Sequence, residues 1–574
     1  MHTMWITIFL VFVIGVSFVA QVSANCREEG IKDVGIKGVE EQGLGALPEK
    51  PELTAPSHRV DTIVPASPDV DIKTNHSIHS VINIAGLPPV RSQGSQGSCT
   101  AWAVGYYHRT HLEWREKQWD ANLTSHQCSP AFLYHHINGG YDTGGYISEA
   151  MEFICTMGCA TYADIPYSAS DNSSWPSSTQ VYLNALQFRA YNYSWLSISD
   201  DAGLANLKQH IANGGTAVIA IKVYSNFDYI SSYNNTYCVS EVNTNTYRGL
   251  HAVTVYGFDD EKQTADGVGA FRLVNSWGTS WGDSGHFWMS YEAMKNSTTC
   301  AGYGYFLVDR ENYTPSLVTY VTVQHDARGE IMWNGITAGI GNITSPYFSL
   351  KILDFNWIQA YVGLSNYQRH AFPGCGIPVD LSDGIGYINR TAKNNLFVKL
   401  KDALAGTTGS IEFLNATDYT WGLSNVSGET PVVITDAGNY VYANVVLEER
   451  ILFEHTPPAG VGLNEPIVIY VNVSSIDNIT AIWTYYKPVN EDTWYAIAMS
   501  LTSGDAHNGT YSCTLPPQSI PGTLQYYFYA IDNTSYARAS QNYSTIVVPS
   551  TSELSSVLLF IALMPAIFMA VPRM

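Results

Sequence analysis

The sequence places one cysteine where a nucleophile would stand. Residues 88–98 form a loop rich in Gly, Ser and Pro, and Cys99 follows it where apolar residues begin to recur at helical spacing. A thiol in the first turn of a helix lies near unpaired backbone amides, and the positive end of the helix dipole stabilises its thiolate. Cys99 could therefore act as a nucleophile, whereas a structural cysteine is the simpler interpretation of this motif alone.

Two later motifs supply partners for this thiol. His251 stands 152 positions after Cys99 in an apolar run typical of a strand, and Asn275 follows 24 positions later in the block Asn-Ser-Trp-Gly-Thr-Ser-Trp-Gly. An imidazole can accept the proton of a thiol, and an amide can hold the ring in one orientation. Each residue alone would be an ordinary buried side chain. Together they favour a Cys-His-Asn triad.

The order and spacing of these motifs resemble those of papain-like cysteine peptidases, in particular secreted prokaryotic ones. The similarity covers a glutamine six positions before the cysteine, the His-Ala-Val strand and the Asn-Ser-Trp-Gly block, within roughly residues 82–309. It implies a two-lobed α+β domain. It also implies that Cys99 is the nucleophile, that His251 is its base and later its acid, and that Asn275 orients the ring.

The resemblance gives roles to two residues beside the triad. Gln93 would direct its side-chain amide at the developing oxyanion, together with the backbone N–H of Cys99. Trp277 would line the substrate site and shield the contact between Asn275 and His251 from water, which strengthens that hydrogen bond. Without the resemblance, Gln93 is a turn residue and Trp277 a core aromatic.

Four positions concern the substrate cleft. Gly144 and Gly145 resemble the paired glycines that let an extended substrate bind to the backbone in this family. Gln96 and Asp142 stand where the family has two bridged cysteines. Because both halves are absent together, we expect a cleft loop without that disulfide.

The chain has nine cysteines. Cys238 and Cys300 flank the His251 and Asn275 motifs, and the resemblance to a second disulfide of the family implies a Cys238–Cys300 bond. The remaining cysteines have no pairing that the sequence indicates. We expect neither a metal site nor a cofactor, because the closely spaced pair at 155 and 159 lacks a complete ligand set.

The elements that must position these residues form an α+β segment. Helical periodicity appears over residues 101–114 and 147–157. Strand-like runs appear at 217–223, 251–258 and 269–274. Residues 81–312 are therefore predicted to be the papain-like domain.

After this segment the pattern changes to short strands separated by Gly, Asn and Asp, as at 317–323 and 396–400. We predict a β-sandwich at 313–450 and an immunoglobulin-like or fibronectin type III-like sandwich at 451–549. The first loosely resembles the jelly-roll P-domain of some secreted proteases through the run from His325 to Glu330. A plain spacer is the alternative, and Ca²⁺ on its Asp-containing loops is a further hypothesis.

Both ends of the chain are apolar. Residues 5–20 precede the small-x-small run Val-Ser-Ala, so residues 1–24 are predicted to be a signal peptide, with an uncleaved anchor as the alternative. Residues 25–80 are a leader, propeptide or linker. Residues 550–574 contain an apolar run shorter than the ~20 residues of a spanning helix. They are predicted to be an anchor to the membrane or cell envelope, or a sorting tail like those of some archaeal surface proteins.

Composition narrows the classes of function. Charged residues make up 14% of the chain, and 29 basic against 50 acidic residues give a net charge of −21, which argues against nucleic-acid binding. Sixteen Asn-x-Ser/Thr sequons lie between Asn75 and Asn542, more than composition alone predicts, and indicate glycans on an exported surface.

These observations predict a secreted and cell-surface or membrane-anchored endopeptidase that hydrolyses proteins or peptides through an acyl-thioester on Cys99. In a transpeptidase, an amine would take the acyl group instead of water. In a surface adhesin, the same fold would serve only for binding. The intact set of Cys99, His251, Asn275 and Gln93 argues against the adhesin.

Overall fold

The computed structural model of the chain describes residues 42–49, 80–81, 85–354, 370–389 and 392–549. The predicted signal peptide, most of the predicted leader and the apolar tail lie outside these residues. No helix in the described ranges is long and apolar enough to cross a bilayer. The contacts divide the chain into two compact units, one reaching Leu447 and one formed by Glu448 onward with residues 389–393.

The first unit opens with a helical layer that carries the nucleophile. Its first helix starts at Cys99 and is α-helical over Cys99–Ala101, π-helical over Trp102–Arg109 and α-helical again over Thr110–Lys117. The other helices of the layer are Pro130–Ile137, Ile147–Met157 and Thr179–Leu186. Helix Pro130–Ile137 has proline in its first turn and is capped by the Ser129 side chain, which accepts from Phe132 N–H.

An eight-stranded sheet carries the other predicted catalytic residues. In spatial order its strands are Asn192–Ser197, Cys300–Val308, Ala217–Tyr224, Tyr247–Thr264, Gly267–Val274, His286–Ser290 and Thr236–Tyr237, with Ser80–Val81 paired to Tyr247–Thr264. Helices Asp201–Ala212 and Tyr291–Lys295 accompany it. His251 is paired with Ile221 inside this sheet, and Asn275 comes directly after strand Gly267–Val274.

The middle β region, residues 317–447, has two sheets. The first sheet has the spatial order Ser345–Ile352, Ile336–Asn342, Asn394–Leu400 and Val441–Leu447. The second has the order Ile377–Asp380, Leu317–Gln324, Gly409–Asp418 and Leu423–Val426. A fifth strand of the second sheet, Val432–Ile434, also pairs with Gly409–Asp418. A short helix, Arg328–Met332, follows the strand Leu317–Gln324.

This middle region is not a spacer set apart from the helical layer. Its apolar residues, such as Leu317 and Ile340, belong to the same hydrophobic core as Phe132 and Ile154 of the helices. The buried pair of Arg189 and Asp380, 2.7 Å apart, also joins the two.

The second unit has two further sheets around a core of its own. One is ordered Ile451–Glu454, Ile467–Ser475, Asn508–Leu515 and Ser500–Gly504; the other is ordered Val461–Gly462, Tyr543–Val548, Gly522–Asp532, Ile479–Lys487 and Tyr495–Ala498, with Ala537–Ala539 on Gly522–Asp532. Strand Ile467–Ser475 alternates between buried and exposed residues, so only one of its faces enters the core. The strand-like texture predicted from residue 313 onward is confirmed in both β regions.

Candidate active site

The loop before the nucleophile is fastened to the loop that carries Asn275. Gln93 N–H donates to the Ser276 carbonyl at 2.8 Å, and Gly278 N–H donates to the Arg91 carbonyl at 3.2 Å. Ser92 and Trp277 form an antiparallel bridge between these two bonds. Two motifs far apart in sequence therefore share one short piece of paired backbone.

Cys99 lies at the first residue of its helix, as the sequence predicts, and is fully buried. Its sulfur accepts the backbone N–H of Ala252 at 3.4 Å. Because Ala252 follows His251 in the chain, this contact places the thiol against the strand that carries the imidazole. The structure thus brings the first two predicted catalytic residues together.

The hydrogen bond between His251 and Asn275 sets the protonation of the ring. His251 Nε2 lies 2.7 Å from Asn275 Oδ1, which also accepts the Ser276 N–H at 2.7 Å. Since Oδ1 can only accept, the neutral ring carries its proton on Nε2 and leaves a lone pair on Nδ1. Nδ1 is buried and has no hydrogen-bond partner among the described residues, so it is free to take the proton of Cys99.

Aromatic rings cover this hydrogen bond. Trp277 is buried and its ring centroid lies 5.0 Å from that of His251. Phe227 packs on both, at 5.2 Å from Trp277 and 6.3 Å from His251. Trp277 therefore packs against the His251 ring as the predicted shielding requires, and Phe227 is a second ring at this place that the sequence analysis did not identify.

Gln93 is held with its amide nitrogen facing outward from the Asn275 loop. The Ser276 hydroxyl donates to Gln93 Oε1, which fixes the orientation of the amide. Gln93 Nε2 then donates to the carbonyls of Gln96 at 2.7 Å and Gly43 at 3.0 Å. The predicted oxyanion donor thus contacts a peptide carbonyl of another segment of the chain.

That segment, residues 42–49, lies along the two glycines predicted to bind substrate. Gly145 N–H donates to the Gly45 carbonyl at 2.8 Å, and Leu47 N–H donates to the Gly145 carbonyl at 3.1 Å. Ala46 N–H donates to the carbonyl of Leu250 at 3.3 Å. Ala46 and Gly145 are paired in parallel. The segment 42–49 therefore occupies the cleft as an added strand.

Glycines allow this close approach. A Cβ on Gly43 would lie 2.2 Å from the Gln96 carbonyl oxygen, and one on Gly45 would lie 1.7 Å from the Gly97 carbonyl oxygen. Gly144 has φ of +86°, and a Cβ there would lie 2.2 Å from the Gly45 oxygen. Only residues without side chains fit at these three positions, so the segment and the cleft are matched to each other.

The far end of the segment is anchored by a carboxylate. Glu49 accepts the Ser148 N–H at 3.0 Å and the Ser148 hydroxyl at 2.8 Å, in the first turn of helix Ile147–Met157. Burial raises the pKa of Glu49, and the hydrogen bonds from Ser148 and Ile147 oppose that shift.

With the segment in place, the catalytic pair is held in its neutral form. Burial raises the pKa of Cys99 to about 11, although the N–H groups of Ala252 and Gly45 pull it down. Burial lowers the pKa of His251 to about 4, against the bond to Asn275. Both shifts favour the neutral thiol and the neutral imidazole over the ion pair. Removing the segment would admit water and so favour the ion pair.

Hydrogen bonds stand where the related disulfide is absent. Asp142 Oδ1 accepts the Gly97 N–H at 2.7 Å and the Tyr134 hydroxyl at 2.6 Å. Gln96 Nε2 donates to the Asp171 carbonyl at 2.7 Å. Asp142 thus ties the nucleophile loop to the glycine loop, a role that the sequence analysis did not assign.

The implied Cys238–Cys300 disulfide is not formed in the structure. Both residues are buried free thiols. The other described cysteines are also free, and all of them except the partly exposed Cys375 are buried. The backbone N–H groups of Ala265 and Asp266 contact the Cys238 sulfur. Cys300 instead pairs with Ile221 at the start of its strand. The two thiols have different neighbours, although they flank the same motifs in sequence.

Ser276 is the main residue of the site that the sequence analysis missed. Its backbone N–H fixes Asn275, its hydroxyl fixes Gln93 and its carbonyl accepts the Gln93 N–H. The only sequence signal for it was its place inside the Asn-Ser-Trp-Gly block. A serine gives no stronger signal, because its role depends on two partners from distant segments.

Two clusters of side chains in the described residues have the types and distances that could hold a metal ion. One, formed by Glu113, Glu116 and Asp309, already has cations, since Arg109 pairs with Glu113 and Asp309. The other is formed by His325, Glu330 and Asp402 in the middle β region. Neither cluster includes a residue of the triad.

Comparison with known proteins finds similarity over the segment that contains Cys99, His251 and Asn275. Residues 77–304 match the model of the papain family cysteine proteases. Gamete and mating-type specific protein A of Dictyostelium discoideum is 30% identical over 201 residues, which are 34% of this chain and 39% of that protein. Thiol protease aleurain of Arabidopsis thaliana is 29% identical over 232 residues, 38% of this chain and 56% of that protein.

Cathepsin L 1 of Paramecium tetraurelia is 28% identical over 206 residues, 35% of this chain and 54% of that protein. The match therefore spans about half of the length of these relatives. Among solved structures, xylellain, a cysteine protease from Xylella fastidiosa, is 23% identical with a TM-score of 0.36, covering 48% of this chain and 100% of that one.

Proposed function

We propose that this chain, which carries a papain-like cysteine peptidase domain at residues 77–304, is an endopeptidase that uses Cys99, His251 and Asn275. The observation that carries the proposal is the bond from His251 Nε2 to Asn275 Oδ1, which leaves Nδ1 without a partner among the described residues while the next residue, Ala252, contacts the Cys99 sulfur. A purely structural cysteine in this place would need no such arrangement.

Cys99, His251 and Gln93 have separate roles in the proposed reaction. His251 Nδ1 takes the proton of Cys99, and the thiolate attacks the carbonyl carbon of the scissile peptide. Gln93 Nε2 and the Cys99 N–H donate to the oxyanion. The imidazolium gives its proton to the leaving amine, which leaves an acyl-thioester. Water then attacks this thioester with His251 as base, and the free acid and the thiol are released.

Labelling and cleavage test the mechanism together. A thiol-directed inhibitor should modify Cys99 in processed protein and stop cleavage of an unfolded protein substrate, and Cys99→Ala should show no cleavage. Cys375→Ala is the matched control, because Cys375 is a partly exposed thiol elsewhere in the fold. Cleavage that persists in Cys99→Ala would refute the mechanism.

The same preparation separates the alternative functions. A transpeptidase would give acyl transfer to an added amine in preference to water, which mass spectrometry of the products detects. An adhesin would bind cell surfaces equally well as Cys99→Ala and would cleave nothing.

We further propose that residues 42–49 keep the peptidase latent, as part of a propeptide within residues 25–80. Support comes from the hydrogen bonds of Gly45 and Leu47 to Gly145 and from the contact of the Gly43 carbonyl with Gln93. A synthetic peptide of residues 42–49 should inhibit the processed enzyme. The same peptide with alanine at the two glycine positions is the control and should inhibit weakly. Mass mapping of the mature amino terminus would show whether the segment is removed.

Export and glycosylation remain part of the proposal. Fifteen of the sixteen sequons have their asparagine among the described residues, and none of these asparagines is buried. That distribution suits glycans on an exterior surface. Endoglycosidase treatment of native protein followed by mass measurement would detect them, and an unchanged mass would contradict the proposal. Recovery in membrane fractions, lost when residues 550–574 are removed, would support anchoring by the tail.

A further inference from the structure

The middle β region contains a buried group of ionisable side chains that the peptidase chemistry does not use. His325 follows strand Leu317–Gln324, Glu330 lies in the short helix Arg328–Met332, and Asp402 follows strand Asn394–Leu400. Their side chains are 0%, 1% and 0% exposed. Three segments from both sheets thus bring one imidazole and two carboxyl groups to a single enclosed point.

The two carboxylates lack a compensating cation. No Lys or Arg forms an ion pair with Glu330 or Asp402 within the described part of the chain, and Asp402 Oδ2 is buried without a hydrogen-bond partner there. Burying charge is costly unless a cation or a proton compensates it.

The distances between the ligand atoms are those of a metal site. His325 Nε2 lies 3.5 Å from Asp402 Oδ2 and 3.7 Å from Glu330 Oε2. These separations are long for direct hydrogen bonds. An ion with ligands at about 2.1 Å in tetrahedral geometry would hold its ligand atoms about 3.4 Å apart. The Thr407 hydroxyl donates to Glu330 Oε2 at 2.9 Å and lies 3.4 Å from His325 Nε2, so it borders the same point.

We propose that His325, Glu330 and Asp402 bind one Zn²⁺ ion. An imidazole together with carboxylates suits zinc, whereas Ca²⁺ and Mg²⁺ prefer oxygen ligands alone. Because the site is enclosed, the ion is structural. It joins the end of strand Leu317–Gln324 to the end of strand Asn394–Leu400, which belong to different sheets.

Ligation requires one proton shift on the ring. In the structure the Ala327 N–H donates to His325 Nδ1 at 3.2 Å, so the neutral ring carries its proton on Nε2. Zinc bound to Nε2 would move that proton to Nδ1. Nδ1 could then no longer accept the Ala327 N–H, so that hydrogen bond would be lost. One hydrogen bond of this length is outweighed by the metal–ligand bonds that replace it.

The test uses the full chain with Cys99→Ser, so that the catalytic thiolate cannot bind the metal. After removal of metals with a chelator, the protein is titrated with Zn²⁺, and bound zinc is counted by elemental analysis. We expect one ion per chain. Free zinc at 100 times its dissociation constant should stabilise the folded protein by about 2.7 kcal/mol, which raises the melting temperature by several degrees. Co²⁺ in its place should give a tetrahedral spectrum without a thiolate band.

Asp402→Asn and Glu330→Gln should each weaken zinc binding by at least about 100-fold, because each removes a charged ligand without changing the shape of the side chain. Circular dichroism of the metal-free variants checks that they fold. Glu116→Gln, in the cluster already neutralised by Arg109 and Lys117, is the control and should bind zinc like the parent. Absence of bound zinc in the parent, unchanged binding in Asp402→Asn, or binding of Ca²⁺ in preference to Zn²⁺ would each overturn the proposal.

Discussion

Replacing Gly45 with alanine should open the cleft of the unprocessed protein. The new Cβ would lie 1.7 Å from the Gly97 carbonyl oxygen, so the backbone at residue 45 and the backbone at Gly97 cannot both keep their positions. Four backbone hydrogen bonds hold the segment, of which one joins Gly43 to Gly94. The clash breaks the three nearest to Gly45, those that join Gly45 and Leu47 to Gly145 and Ala46 to Leu250. At about 1 kcal/mol net for each bond, the segment loses roughly 3 kcal/mol, which corresponds to about a 100-fold larger open fraction.

The rate at which a small neutral alkylating reagent modifies Cys99 measures this fraction. Cys99 is fully buried under the segment, so modification requires the segment to leave. We expect Gly45→Ala to react about 100-fold faster than the parent, with the amino terminus of both proteins verified by mass. Gly428→Ala is the matched control, since a Cβ at Gly428 would meet no atom. Equal rates for parent and Gly45→Ala would refute the role of the segment in controlling access.

Further predictions follow from the site and the fold. Gln93→Ala in processed enzyme should lower kcat/KM by about 10²–10³, mainly through kcat, because the oxyanion loses one donor. In the unprocessed chain, alkylation of Cys99 should accelerate with pH up to about 11, since burial raises the pKa of its thiol to that value; a midpoint near 9 would show that the thiol is solvated. The same raised pKa lowers the free energy of unfolding as the pH rises from 9 through 11, because the thiol ionises at a lower pH in the unfolded chain than in the folded one. Asp380→Asn should cost about 3 kcal/mol in urea unfolding, because it removes the buried carboxylate at 2.7 Å from Arg189 and leaves only Asp383 at 3.5 Å. Lys351→Met at the exposed Lys351–Asp354 pair should cost less than about 1 kcal/mol.

The candidate catalytic residues could be named from the sequence because the proposed chemistry restricts their types and order. Cys99 and Asn275 each stand in a distinctive motif, and His251 is the one histidine of an apolar strand between them. The helical periodicity at 147–157 was also readable, because the apolar residues of this helix are buried and only Glu149 and Glu152 are not. These signals are local, so the sequence contains them in full.

The contacts that the sequence did not reveal join distant segments. An extended strand such as 42–49 has no internal hydrogen-bond pattern, so its place in the cleft cannot be recognised from periodicity. Asp142 and Ser276 act through partners on other loops. The middle β region shares its core with the helices because both bury apolar faces against each other, which strand patterns alone do not specify.

The bonds of Asp142 also decide how the enzyme can be handled. A catalytic thiol must be kept reduced, and in a cleft braced by a disulfide the reductant that protects the thiol also attacks the brace. Here the brace is a carboxylate that accepts from Gly97 and Tyr134, and the described cysteines form no disulfide. Strong reducing conditions therefore leave the geometry of this cleft unchanged while they maintain its nucleophile.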